Sequence, residues 1–357
     1  MVRLTRDVTS PLTLSVLDLI PVRTGQTTAE AIAATTTMAQ TADKHGYARY
    51  WVAEHHNMAA VASTNPAVLI GILAGRTSRI RLGSGGVMLP NHSPLVVAEQ
   101  FALLEAAYPG RIDLGVGRAP GSDPLITGLL RSSGTTSDVD AFPSHIRDIT
   151  ALLAPEGGTV HLAGGKPYVV RATPNASSAA ELWLLGSSLY SARLAAQLGL
   201  PYVFAHHFSG EGTDAALSAY RDGFTPSDAA AYPRTLLTVN VAVADDEAQA
   251  HALARPQLQQ MARLLTGQPL GPLATVEEAA ETEMTDSQQH LIDGMSARWV
   301  IGTPAQAATR IRALATRFNV SEVMVVPAGS ASSSDPKDQT PARSRMLSLL
   351  AEQMISN

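Results

Sequence analysis

Two imidazoles and a carboxylate stand side by side in Glu54-His55-His56, directly after the apolar run 47–53. An imidazole changes charge near neutral pH, so it can move protons as a general acid or base. Neighbouring side chains of a strand point to opposite faces, so His55 and His56 can share one pocket only if the strand has ended. Their adjacency gives neither the alternating nor the helical spacing of catalytic zinc ligands, and we expect no metal here. The spacing alone fits a catalytic histidine and a structural one equally well.

Two glycine-rich stretches could receive a flat or anionic ligand. Glycine weakens a strand interior, so Gly83, Gly85 and Gly86 indicate either a close-fitting ligand surface or a bulge that helps a sheet to curve. The segment 115–121 departs from the dinucleotide-binding pattern, because its third glycine comes one position late and a proline and an aspartate follow rather than a helix. Its amides beside Arg118 could bind an anion or simply form a turn.

A hydroxyl-rich segment, Gly186-Ser187-Ser188-Leu189-Tyr190-Ser191, lies between a predicted strand and a predicted helix. The amides at a helix start, joined by two or three hydroxyls, form a cradle for phosphate. Pure capping of the helix would need only one serine. The sequence therefore predicts a phosphate site at this junction.

These motifs lie at the ends of predicted strands that alternate with helices. The strands cover residues 12–17, 47–53, 79–89, 112–117, 181–186, 202–205, 235–244 and 322–327. The alternation predicts a parallel sheet and eight units predict closure, so the fold class is α/β, a (β/α)8 TIM barrel with insertions. Barrel enzymes keep their chemistry at the carboxyl ends of the strands. The pair His206-His207 follows the sixth strand and would face that rim, although such a pair is more often structural.

The 357 residues are predicted to form a single domain over 1–357. We expect an inserted hairpin at 156–175. Residues 267–298 contain Gly, Pro and several Glu, and they suit a surface excursion or an active-site lid better than a core element. The serine-rich tract 328–341 is predicted to be flexible.

The composition excludes several classes of protein. With 45% hydrophobic and 16% charged residues the chain is globular rather than disordered. No apolar run reaches the roughly 18 residues of a membrane span, and the first residues lack the apolar core of a signal peptide. The absence of cysteine favours a cytoplasmic location. A net charge of -5 without a basic stripe argues against nucleic-acid binding.

Taken in order, these motifs resemble the bacterial luciferase-like flavin-dependent monooxygenases over roughly residues 12–350. The matching blocks begin at Ala53, Asn65, Leu82, Arg111, Gly186, Leu198 and Val300. Each block occurs widely among related barrels, whereas all of them in this order are specific. The chain is most similar to the single-type bacterial members, some of which serve polyketide pathways such as that of mensacarcin.

The resemblance implies that reduced FMN reacts with O2 to give a flavin C4a-hydroperoxide, which oxygenates a small organic substrate such as an aromatic polyketide or another secondary metabolite. By position, His55 matches the catalytic acid/base at the flavin edge, and Glu54 and His56 would orient it. Gly85 and Gly86 match a non-proline cis peptide against the isoalloxazine ring. The residues that would bind the cofactor are Gly85, Gly86, Arg118, Ala119, Arg131, Ser187, Ser188, Tyr190 and Ser191.

The resemblance also implies a homodimer packed through the early helices of the barrel. Because the chain has no nicotinamide-binding pattern, a separate flavin reductase would supply the reduced FMN. Gly117 replaces a cysteine of the light-emitting enzyme, so luminescence is not expected. Two alternatives stay open, namely F420-dependent hydride transfer on the same fold and a flavin-binding protein without catalysis. The residues do not choose the substrate, nor between hydroxylation, epoxidation and Baeyer–Villiger oxidation.

Overall fold

The computed structural model describes residues 12–131, 139–268 and 270–355, and parallel strands form its centre. In these ranges the strands are β1 (Thr13–Asp18), β2 (Arg49–Val52), β3 (Arg81–Ser84), β4 (Val87–Met88), β5 (Ile112–Gly117), β6 (Gly158–His161), β7 (Pro167–Val170), β8 (Glu181–Gly186), β9 (Tyr202–Phe204), β10 (Thr235–Val243), β11 (Val300–Gly302) and β12 (Glu322–Pro327). The α-helices are α1 (Thr28–Lys44), α2 (Pro66–Ala74), α3 (Pro94–Ala107), α4 (Pro124–Arg131), α5 (Phe142–Leu153), α6 (Leu189–Leu198), α7 (Thr213–Asp222), α8 (Glu247–Leu265), α9 (Val276–Glu281), α10 (Asp286–Arg298), α11 (Pro304–Phe318) and α12 (Pro341–Met354).

Eight of the strands close into a barrel in the order β1, β2, β3, β5, β8, β9, β10 and β12. The ring closes because β1 pairs in parallel with both β2 and β12, through Val16 opposite Tyr50 and Val325 respectively. The (β/α)8 TIM barrel predicted from the alternation is thereby confirmed. Strand β4 continues the third unit beyond Gly85 and Gly86 and pairs with β5.

The helices begin where capping residues allow. Thr27 caps α1 and exchanges hydrogen bonds with Glu30, and Thr303 does the same with Gln306 at the start of α11. The segment after Pro120 was not predicted to be helical, yet α4 begins at Pro124. Asp123 supplies the reason, because its Oδ1 accepts a hydrogen bond from the backbone N of Ile126 at 3.0 Å.

A charged network locks the amino-terminal end of the barrel. Arg49, the first residue of β2, donates to Asp113 at 2.7 Å, to Glu181 at 2.9 Å and to Glu322 at 3.0 Å. Arg81 at the start of β3 also pairs with Asp113. Arg81, Glu181 and Glu322 are the first residues of their strands, and Asp113 is the second residue of β5. The network therefore joins β2 to β3, β5, β8 and β12 at the amino-terminal end of the barrel. Because these ion pairs lie at the amino-terminal end, the carboxyl-terminal end of the barrel is available for the residues of a functional site.

The three irregular segments are ordered in different ways. An antiparallel pair, β6 and β7, lies within the 156–175 segment. The 267–298 segment is largely helical, because Thr275 and Thr285 begin α9 and α10 with capping boxes. In α10, Ile292 and Met295 are buried in a cluster with apolar residues of α8. The segment thus has core contacts that its polar composition conceals, and a lid function stays a prediction.

The serine-rich tract 328–341 is anchored by Arg23. The guanidinium group of this buried side chain donates to the carbonyl oxygens of Ser332, Asp335 and Pro336, at 3.3, 2.6 and 2.7 Å. Flexibility of the tract stays a prediction, and these are the contacts that motion would have to break. Across the described ranges, no helix combines the length and hydropathy needed to cross a membrane.

Candidate active site

A cavity of about 580 Å³ opens at the carboxyl-terminal rim of the barrel, and we call it the main cavity. It lies among the residues that end or follow β2, β3, β5, β8 and β9. Apolar side chains make up much of its wall, including Leu17, Trp51, Leu185 and Met324. Large, mostly apolar pockets with a few polar groups are the usual binding sites of small ligands and cofactors.

The main cavity gathers ten of the twelve site residues proposed from the sequence. They are His55, Gly85, Gly86, Arg118, Ala119, Arg131, Ser187, Ser188, Tyr190 and Ser191. Glu54 and His56 are absent from its wall. Strand β2 ends at Val52. Beyond it the side chains still alternate between two faces, so His55 points into the cavity wall and its two neighbours do not.

His55 places a half-buried imidazole in the wall of this cavity. Its backbone N donates to the carbonyl of Ser63 at 2.9 Å, whereas its Nδ1 has no hydrogen-bond partner among the described residues. Burial lowers the pKa of His55, Glu54 partly offsets this effect, and His56 adds to it. The ring is therefore neutral at neutral pH and has a nitrogen available for a ligand.

Glu54 bonds to other partners than His55. Its Oε1 accepts from Nε2 of His56 and from Nε2 of His92, both at 2.8 Å, and its Oε2 accepts from the backbone N of Met88 at 3.0 Å. Burial alone would raise the pKa of Glu54, but these hydrogen bonds and the nearby imidazoles lower it. Direct orientation of His55 by hydrogen bonds from Glu54 or His56, as the resemblance implied, is not found. Both residues instead fix the backbone on either side of it.

Gly85 and Gly86 form a surface of the main cavity, joined by a cis peptide bond. A Cβ atom on Gly85 would lie 2.6 Å from Cδ1 of Leu17, and one on Gly86 would lie 2.9 Å from the carbonyl oxygen of Gly115. Both distances are too short for any side chain. The glycines interrupt the third strand and also line the cavity, and their contact with a ligand stays a prediction.

Cationic and hydroxyl groups form another part of the wall. The guanidinium of Arg118 lies 4.3 Å from the centre of the Tyr190 ring, and Nε of Arg131 is buried without a hydrogen-bond partner among the described residues. Ser188 is the N-cap of α6, yet its side chain makes no capping hydrogen bond. An anion would meet here two arginines, the exposed hydroxyls of Ser187 and Ser188 and the amides of a helix start, which is the donor set that a phosphate group needs.

Ser191 differs from the other serines. It is buried, and its Oγ donates to the carbonyl of Ser188 at 2.8 Å and contacts the hydroxyl of Tyr202 at 3.2 Å. The hydroxyl group is therefore engaged within the protein. Ser187 and Ser188 are exposed, and contact of the three serines with a ligand stays a prediction.

Sequence reasoning placed the His206-His207 pair at the rim but did not include it among the site residues, and the main cavity contains one of these imidazoles. His207 lines it together with Phe208 and Thr238, and its Nδ1 lies 2.8 Å from Oγ1 of Thr238. Burial, followed by the charges of His206 and His55, lowers the pKa of His207 to about 3. Its position after β9 was the available signal, whereas Thr238 sits inside an apolar strand and gave none.

The sequence matches a family model of luciferase-like monooxygenases over residues 12–319. The chain belongs to the luciferase-like monooxygenase family. It is 39% identical over 314 residues to the luciferase-like monooxygenase of Escherichia coli K12, covering 88% of this chain and 91% of that protein. It is 38% identical over 248 residues to the N-acetyl-S-alkylcysteine monooxygenase of Bacillus subtilis, covering 69% and 72%.

Solved structures agree with this membership of the luciferase-like family. The crystal structure of apo-MsnO8 superposes with a TM-score of 0.80 at 32% identity and covers 97% of this chain and 100% of its own. Two more distant structures share the fold. The FMN complex of the oxygenating constituent of 3,6-diketocamphane monooxygenase from Pseudomonas putida has a TM-score of 0.69 at 17% identity, with 97% and 98% covered. An F420-dependent secondary alcohol dehydrogenase has a TM-score of 0.64 at 15% sequence identity, and the match covers 96% of this chain and 99% of that one.

Proposed function

We propose that the protein is an FMN-dependent monooxygenase that uses reduced flavin and O2 to oxygenate a small organic substrate. The observation that carries the proposal is that one cavity contains both an imidazole whose Nδ1 is buried and has no partner among the described residues, in His55, and a donor set suited to phosphate. Neither feature alone would favour a flavin enzyme. Membership of the luciferase-like family supports the combination.

The phosphate of FMN fits the start of α6, where the amides of the first turn, Ser187 and Ser188 are exposed. Arg131, with its unpartnered Nε, would neutralise the charge of the phosphate. Gly85 and Gly86 line the cavity with backbone alone, so a planar ring could lie against this part of the wall. Bound FMN supplies the chemistry that activates O2.

The residues around the ring would exclude water and move a proton. Leu17, Leu185 and Met324 make the wall apolar. An apolar wall limits the access of water to a reactive intermediate. His55 is neutral at neutral pH because burial lowers its pKa, so it can accept a proton at Nδ1 or donate one after tautomer exchange.

The decisive experiment compares the unaltered protein with His55→Ala. FMN affinity, measured by fluorescence quenching, should change by less than about threefold, while turnover should fall by about 10² or more. The assay contains FMN, a flavin reductase, labelled O2 and a panel of aldehydes, aromatic polyketides and N-acetyl-S-alkylcysteines. His251→Ala, on the exposed side of α8, is the matched control. Unchanged turnover in His55→Ala would contradict the proposal.

The F420 alternative and the non-catalytic alternative have distinct signatures. Tighter binding of F420 than of FMN would favour hydride transfer, whereas oxidation of reduced FMN at its uncatalysed rate with no labelled product would favour a flavin-binding protein. A separate flavin reductase is part of the proposal, and activity with NADH alone would contradict that part.

We further propose a homodimer that packs through α2 and α3. Their outer faces expose large apolar side chains, with Val68 59% and Leu103 58% accessible, and Ile72 and Val96 lie one turn or two turns from them. Contiguous exposed apolar side chains are typical of contact surfaces. A second copy of the chain is the occupant that the family resemblance implies for these early helices.

A further inference from the structure

A second cavity of about 170 Å³ adjoins the main cavity, and we call it the side pocket. The two cavities share four wall residues, namely Leu19, His55, His207 and Phe208. The two imidazoles therefore stand at the junction, where a molecule that occupied both spaces would pass them. None of the residues assigned to FMN lines the side pocket.

The side pocket has a mostly apolar and adaptable wall. Met261 of α8, Met295 of α10 and Met58 line it with Trp299. Methionine side chains are flexible and polarisable, and they fill irregular space around varied apolar ligands. Arg343 is the cationic side chain of this wall, and it is neutralised because its Nη2 lies 2.8 Å from Oδ1 of Asp18. The wall thus suits an uncharged molecule.

The hydrogen bonds of Thr238 favour one tautomer of His207. The hydroxyl of Thr238 donates to the carbonyl oxygen of Phe204 at 3.2 Å, and a hydroxyl has one hydrogen. With its hydrogen used in that bond, Oγ1 accepts from Nδ1 of His207 at 2.8 Å, as it does from the backbone N of His207 at 3.4 Å. With its proton on Nδ1, the neutral ring presents Nε2 as a hydrogen-bond acceptor.

We propose that the side pocket binds the apolar body of the substrate and that Nε2 of His207 accepts a hydrogen bond from a hydroxyl of that substrate. The substrate class is accordingly an uncharged, largely apolar phenol or alcohol. This inference rests on the proposed monooxygenase function, since the junction beside His55 is where such a molecule would meet the flavin.

Two isomeric probes test the hydrogen bond and the pocket separately. Para-ethylphenol carries a hydroxyl donor, and para-methylanisole has the same atoms but no donor. In calorimetric titrations of the FMN-loaded protein, the phenol should bind about tenfold more tightly than the anisole. His207→Phe should bring this ratio close to one. Equal affinities in the unaltered protein, or a ratio that His207→Phe does not change, would overturn the role of His207.

Filling the side pocket should weaken both probes. Met261→Trp places a larger ring in the pocket, and the affinity for each probe should fall by about tenfold. Leu265→Trp, at an exposed position on the same helix, is the matched control and should change neither affinity. If Met261→Trp fails to fold by circular dichroism, Met261→Phe replaces it. Probe affinities that are unchanged in the filled variant would overturn the pocket assignment.

The FMN titration separates this inference from the proposed function. FMN binding with product formation, but with probes insensitive to Met261 and His207, overturns the side pocket and leaves the monooxygenase proposal standing. Probe binding that depends on both residues in a protein that does not bind FMN supports the pocket and overturns the flavin proposal.

Discussion

Nε2 of His92 lies 2.8 Å from Oε1 of Glu54, although 38 residues separate the two in the chain. His92 follows β4, and the contact brings its ring to the carboxylate of Glu54, the residue before His55. Glu54 is thereby held as an anion under the rim, with His56 and Met88 as its other partners. Its negative charge also acts on His55, whose pKa it raises against the effect of burial.

Glu54→Gln should move the pH dependence of turnover. Without the anion, the pKa of His55 falls further, so the acid limb of the profile, where the neutral imidazole becomes protonated, should shift to lower pH. In the unaltered protein this limb should lie below the ordinary histidine value of about 6.5. The measurement is kcat against pH, with His251→Ala as the control that keeps the original limb. A shift to higher pH would show that another group is titrating.

Arg49→Met should destabilise the protein by about 3–5 kcal/mol, because it leaves the buried Asp113 without one of its cationic partners. The exposed pair of Arg317 and Asp214 provides the comparison, and Arg317→Met should cost less than about 1 kcal/mol. Urea unfolding at neutral pH gives both values. Equal losses in the two variants would mean that burial does not strengthen the Arg49 network.

Glu181 should stabilise the fold in a pH-dependent way. Burial alone would raise its pKa, but Arg49 and Arg234 outweigh this effect and lower the pKa to about 2. Because the folded-state pKa lies below the unfolded one, this stabilisation is present above about pH 4.5 and is lost as the pH falls towards 2. The difference in unfolding free energy between the unaltered protein and Glu181→Gln should therefore shrink on acidification. A difference that stays constant with pH would contradict the assignment.

Gly186→Ala should weaken FMN binding by about tenfold. The added Cβ would lie 2.1 Å from Oγ of Ser191, so the first turn of α6 would have to move together with its amides. Riboflavin, which lacks the phosphate, should lose less affinity than FMN in the same titration. Gly164→Ala is the control, since no atom lies within 4 Å of its new Cβ. Equal losses for FMN and riboflavin would place the phosphate elsewhere.

Val68→Glu combined with Leu103→Glu should convert a dimer into a monomer. Carboxylates on the outer faces of α2 and α3 would have to lose their hydration in a packed interface. Sedimentation at micromolar concentration measures the change, and Leu265→Glu on α8 is the matched exposed control. A monomeric unaltered protein would rule out the dimer.

The parts of the fold that could be predicted are those whose signal is local. The alternation of apolar runs and helical spacing located the strands, and the residue types at their ends located His55 and the α6 junction. Contacts between distant segments gave no such signal. His92 reaches Glu54 only through the barrel, and the apolar strand around Thr238 does not reveal that its hydroxyl faces His207.

Polar composition concealed other elements. Helices α9 and α10 lie in a segment rich in Glu, Gly and Pro, where only the threonine caps mark their starts. Helix α4 has apolar residues at helical spacing, but it is only eight residues long and none of them is buried, so the pattern is too short to be distinctive.

The charged network around Arg49 holds the strands together at the amino-terminal end of the barrel, and its charged residues line neither cavity. Substitutions of residues at the carboxyl-terminal rim are therefore expected to have little effect on the ion pairs that hold the strands together. Because the ion pairs and the cavities lie at different ends, we expect the barrel to tolerate substitutions in the cavity walls. We expect substitutions at Met58, Met261 and Met295 to change which ligands the side pocket accepts without breaking the ion pairs around Arg49.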